Sequence, residues 1–110
     1  MVTYTIPENV EKVRNALFDA GAGKIGNYED CSFNSQGIGT YMGNENSNPE
    51  IGERFEFVEA QEIKIEVTFE KHLQSKILKA LFSNHVYEEV AYEIYDLQNS
   101  HQNIGLGMIG

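Results

Sequence analysis

Apolar positions along this chain recur with two periods, and the switches between them mark out the elements. Val2, Tyr4 and Ile6 alternate with Thr3 and Thr5, predicting a strand over 2–6 with one apolar face. Pro7 then sets φ for a first helical turn, and Glu8 suits the positive end of the helix dipole. Val10, Val13, Leu17 and Ala20, with Ala16 and Phe18 alongside, predict a helix over 7–20 that Gly21 and Gly23 stop. Two short strands, 31–34 and 37–42, are expected around a Ser35-Gln36-Gly37 turn, followed by a polar loop over 43–52. Residues 53–58 alternate Phe55 and Phe57 with charge. The clearest strand follows, with Ile63, Ile65, Val67 and Phe69 on one face and Glu62, Lys64, Glu66 and Thr68 on the other. Leu73, Ile77, Ala80 and Leu81, broadened by Leu78 and Phe82, predict a second helix over 71–84. After His85 the period returns to two through Val90, Tyr92 and Ile94.

The resulting order is strand, helix, paired strands, strand, helix, strand. This is an α+β, ferredoxin-like βαββαβ plan: an antiparallel sheet with two helices on one face, plus extra short strands and the polar loop. Residues 1–97 form the expected domain, and 98–110 a polar, then Gly-rich tail. A chain of 110 residues suits one domain.

Charge narrows the function classes. Eight Lys and Arg stand against 17 Asp and Glu, a formal net charge of −9. That balance argues against nucleic acid and against an anionic membrane surface as partners, since both need basic residues. Cys31 is the single cysteine, which excludes an internal disulfide and a Cys-rich metal site. No apolar run approaches a membrane span, and the N-terminus carries no signal-peptide pattern, so a cytoplasmic location is expected.

Two clusters sit where a helical period gives way to a strand period. In Gly21-Ala22-Gly23-Lys24-Ile25-Gly26-Asn27-Tyr28 the glycines follow a helix instead of opening one. A phosphate-cradling fingerprint is therefore excluded, and a helix cap with a tight turn is the bland alternative. Lys24 with exposed glycine amides offers an anion site. His85-Val86-Tyr87-Glu88-Glu89 places an imidazole beside two carboxylates, the residue types of a proton-transfer or metal site. Its bland alternative is a histidine on the helix C-terminal dipole with solvated carboxylates. The ligand-binding candidates are Gly23, Lys24, Gly26, Asn27, Tyr28, His85, Tyr87, Glu88 and Glu89, with His85 the metal candidate and no residue assigned as catalytic. Both segments follow a helix and precede a strand, so they are expected to approach one another within a subunit or across an interface. His72 and His101 have no histidine at ligand spacing and are read as surface residues. Cys31 has no base beside it and is read as a packed or edge thiol.

Taken in order, the 21–28 motif, Cys31-Ser32-Phe33, Gly37-Ile38-Gly39, Asn48-Pro49-Glu50-Ile51-Gly52 and residues 85–92 resemble the insert domain of the Nif-three-like dinuclear-metal proteins, the YqfO family. The resemblance covers nearly the whole chain and implies a PII/CutA-like domain. CutA, a small trimeric protein linked to divalent-cation tolerance, has a similar His-x-Tyr-Glu segment. Val86 stands where the family usually has Pro. The two halves that carry the family's metal ligands have no counterpart here, so the hydrolase activity does not transfer. Gly105-Leu106-Gly107-Met108-Ile109-Gly110 resembles the re-entry into the second half, so the resemblance leads to the expectation of either a naturally free-standing insert or a truncated remnant.

The expectation is a non-enzymatic, oligomeric, ligand- or metal-responsive module, homotrimeric, with a small molecule or divalent metal ion as ligand. The alternatives are an accessory domain of a metal-dependent hydrolase acting with a separate partner, and a structural trimerisation unit.

Overall fold

The structure, a computed structural model, describes residues 1–47 and 52–99. Asn48, Pro49, Glu50 and Ile51 of the fourth motif, His101 and nearly all of the tail lie outside the described residues. The described chain runs β1 (Val2–Thr5), a 3-10 turn (Pro7–Asn9), α1 (Val10–Asp19), β2 (Phe33–Tyr41), β3 (Val58–Glu66), a 3-10 turn (Lys71–Leu73), α2 (Gln74–Asn84) and β4 (Tyr92–Glu93). The sheet order is β2-β3-β1-β4, antiparallel throughout. This is the expected βαββαβ arrangement, with β1 and β3 central.

Both helices lie on one face because their apolar stripes meet one set of strand positions. Val13 and Leu17 of α1, Ile77 and Leu81 of α2, and Ile65 of β3 are all fully buried in a common core. Each such side chain contributes about 1.5–3 kcal/mol by leaving water. Gly21 ends the first helix at φ +111°, a conformation open to glycine and unfavourable for side chains bearing Cβ.

Four strand expectations are corrected. First, Ser35-Gln36-Gly37 is not a turn: β2 runs unbroken over 33–41 and pairs residue for residue with β3, Phe33 opposite Glu66 and Tyr41 opposite Val58. Nine consecutive partners outweigh the local turn preference of Ser and Gly, since strand formation depends on cross-strand packing. Second, 53–58 is not a strand. Phe55 adopts φ +63°, its N–H donates to Gly43 O at 2.6 Å, and β3 begins only at Val58.

Third, β1 turns its threonines inward. The register sets Thr3 opposite Ile65 and Thr5 opposite Ile63, so both face the helices with the β3 isoleucines and are fully buried. Their hydroxyls are satisfied there: Thr3 Oγ1 donates to Ala91 O at 2.9 Å, and Asn9 Nδ2 reaches Thr5 Oγ1 at 3.4 Å. Tyr4 instead occupies the open face with Lys64, although Val2 is also buried. Fourth, the strand expected through Val90 and Ile94 is reduced to Tyr92 and Glu93.

Candidate functional site

The two sequence clusters lie at opposite ends of the sheet. β1 and β3 are antiparallel neighbours, and each is followed by a helix folding back over the sheet, so α1 and α2 run antiparallel to each other. Gly21, just past α1, abuts Leu73 at the start of α2: a Cβ at Gly21 would stand 2.8 Å from Leu73 Cδ1. Asn9, just before α1, donates to Asn84 O at the end of α2 at 3.2 Å. The expectation that both helix C-termini share one end of the domain is therefore wrong for a single chain.

At the Met1 end, Gly23 anchors the first cluster. Its buried N–H donates to Thr68 O at 2.8 Å and its carbonyl accepts from Cys31 N at 2.8 Å. Ile25 and Tyr28 then exchange two backbone bonds of 3.0 and 2.9 Å, closing a tight hairpin around Gly26 and Asn27. Gly26 sits at φ +58°, where glycine fits the turn. Lys24, Gly26, Asn27 and Tyr28 are exposed.

The hairpin borders an open concavity of about 1130 Å³. Met1, Val67, Phe69 and Ile94 form its apolar wall, with Lys24 and Leu97 among the lining residues. The Met1 amino group donates to Val67 O at 2.6 Å. Burial lowers its pKa from the ordinary value, against an opposing pull from Glu66.

At the other end, the second cluster is tied down. His85 Nε2 lies 2.5 Å from Tyr4 O, and Nδ1 accepts the Tyr87 N–H at 3.1 Å. One neutral tautomer satisfies both contacts, with the proton on Nε2. Tyr87 Oη donates to Glu62 Oε2 at 3.0 Å, and its ring meets Tyr41 edge-on at 6.0 Å. Glu88 and Glu89 are exposed. On the open sheet face, Tyr4 Oη donates to Glu93 Oε1 at 3.2 Å. Burial, then this bond, raises the Tyr4 pKa above its ordinary value.

Both ring nitrogens of His85 contact the backbone, Nε2 at Tyr4 O and Nδ1 at the Tyr87 N–H, so in this arrangement neither is turned toward a cation. Nor does the imidazole serve the helix dipole as expected, since it bonds to β1. Among the described residues no three His, Cys, Asp or Glu side chains group as a metal site. A dinuclear centre of the kind the resemblance implies needs a larger donor set than these residues supply, so it does not fit this part of the chain.

Sequence reasoning missed Glu62, Tyr41 and Tyr4 as partners of the second cluster. The available signal was the Gly37-Ile38-Gly39 alternation: a Cβ at Gly39 would run into the Glu62 carboxylate, so the glycine makes room for the group that Tyr87 engages.

No family model matches the chain. Similar proteins are nonetheless found over its full length. A GTP cyclohydrolase 1 type 2 homolog of Halalkalibacterium halodurans is 44% identical over 112 residues, covering 100% of this chain and 30% of that protein. The homolog of the same name from Bacillus subtilis is 39% identical over 110 residues, with the same coverage of 100% and 30%. The crystal structure of a Bacillus cereus protein related to NIF3 superposes with a TM-score of 0.77 at 41% identity, over 89% of this chain and 25% of that one. The chain spans about 30% of the length of the curated relatives it matches.

Proposed function

We propose, on the premise that this chain is homologous over its full length to one segment of the NIF3-related YqfO proteins, that it acts as a non-catalytic, self-assembling module that responds to a small ligand. Residues 1–97 are the folded unit in this reading, the assembly is a homotrimer, and the location is cytoplasmic. Among the described residues no helix is long and apolar enough to cross a membrane. The observation that carries the reading is β2. It is nine residues long, forms an edge of the sheet, and carries Phe33 and Ile38 at 67% and 70% exposure. Long apolar edges template pairing with another strand, and in homo-oligomers closed symmetry satisfies them. A metal arm of the response loses its support with His85 bonded to the backbone.

Light scattering tests the assembly. We expect three times the 12.4 kDa chain mass, and Ile38→Lys, which places a charge on the edge strand, shifts that mass downward while the circular dichroism spectrum is retained. A 12.4 kDa species from the unsubstituted chain at micromolar concentration overturns the reading.

One observation favours a second reading, an accessory domain working with a separate catalytic partner: the chain covers 30% of relatives whose name refers to a cyclohydrolase. Turnover by the purified chain itself, abolished by substitution of one residue, contradicts both readings.

A further inference from the structure

We infer that the concavity at the Met1 end is a binding site for a small monoanionic amphipath, an apolar body bearing one carboxylate or sulfonate, with Lys24 holding the anionic group. The inference rests on the ligand-responsive reading above and names the ligand class. The volume, about 1130 Å³, exceeds the ~300–1,000 Å³ usual for small-molecule sites and leaves room for water at an open mouth.

Its wall supplies the apolar half. Val67 and Met1 are buried, while Phe33, Tyr95 and Leu97 remain 61–67% exposed around the opening. Apolar side chains left at the mouth of a concavity gain by being covered and removed from water.

Charge pairing supplies the polar half. Among the described residues three acids line the same space: Glu66 lies 4.0 Å from Lys64, Asp96 lies 3.7 Å from Lys71, and Glu70 lies 3.6 Å from His72, an ion pair only when that imidazole is protonated. Lys24 makes no ion pair with a described residue. It is presented by the hairpin that Gly23 anchors and Ile25 and Tyr28 close. An incoming carboxylate therefore meets an uncommitted ammonium, while an incoming cation must compete with existing pairs. One uncommitted lysine suits one anionic group, and that distinguishes this ligand class from polyphosphates, which recruit several cations.

The test is fluorescence titration of the 110-residue chain with 8-anilinonaphthalene-1-sulfonate, competed by decanoate and by decanol. We expect one dye per chain, displaced by decanoate at concentrations where decanol has no effect. Lys24→Glu should weaken dye binding at least tenfold, whereas Lys79→Glu, on the exposed surface of α2, should leave it unchanged. Absence of dye binding, equal weakening by both substitutions, or displacement by decanol as efficient as by decanoate overturns the assignment. Both substituted positions are exposed, so folding is retained in each variant. The mass of the same samples separates the two proposals: dye binding by a monomer overturns only the assembly, and a trimer without dye binding overturns only the site.

Discussion

Gly23 shows how much of a loop can depend on one residue. Its φ is +84°, and a Cβ there would stand 2.8 Å from Cys31 O and 3.0 Å from Phe18 Cδ1. The backbone at Cys31 is already bonded to Gly23, so it cannot retreat without losing that bond. Gly23→Ala is expected to cost about 1–3 kcal/mol from the left-handed conformation and the contact, read as a lower urea midpoint with an unchanged slope. A midpoint equal to that of the parent chain would show that the loop relaxes freely. The sequence marked this glycine as a helix stop, but the close approach to Cys31 depends on where residue 31 returns. His85 teaches the same lesson differently. Its neighbours Glu88 and Glu89 suggested a site, yet its ring is spent on Tyr4 O and the Tyr87 N–H. Which atoms fill a histidine's two nitrogens is decided by residues far away in the chain.

At the scale of elements, the helices were legible and the strands only partly so. α1 and α2 fall inside the expected spans because a 3.6-residue stripe records one burial direction over several turns. Ile77 is fully buried on α2, whereas Phe82 on the same helix is 50% exposed and meets Tyr92 edge-on at 5.5 Å. Ile77→Ala is therefore expected to cost about 2–5 kcal/mol, and Phe82→Ala to lose mainly a ring pair worth about 0.5–1.5 kcal/mol plus partial burial. Chemical denaturation of the two variants checks the ranking, and equal losses would contradict the packing described. Strands record less. Val2, Tyr4 and Ile6 made the apolar half of β1 look like its core face, but the register with Ile63 and Ile65 buries Thr3 and Thr5. A threonine can occupy such a position when its hydroxyl finds a partner, and the partner of Thr3 is Ala91 O, 88 residues on.

For the whole molecule, the sheet order predicts how protection should be distributed. β1 and β3 each have two strand neighbours, while β2 and β4 are edges. In dilute solution amide exchange should be slowest in β1 and β3, since edge hydrogen bonds open without disturbing the core. If β2 pairs between copies, its outer amides should gain protection as concentration rises, while β1 stays unchanged. Hydrogen-exchange mass spectrometry across a hundredfold concentration range checks this, and β2 exchange independent of concentration would count against edge pairing.

The amino-acid pattern alone determined the βαββαβ plan, the two helical stripes, the inward face of β3 through Ile63 and Ile65, and the kinship carried by the ordered motifs. These are local or linear properties: a period, a glycine after a helix, residues in succession. Tertiary structure decided the continuity of β2, the inward face of β1, the bonds that occupy His85, and the separation of the two clusters to opposite ends. Each of these depends on which distant strand lies alongside, and a one-residue change of register would exchange the faces of an entire strand. The separation of the clusters follows from the same cause, because antiparallel pairing of β1 with β3 makes the helices that follow them run in opposite directions.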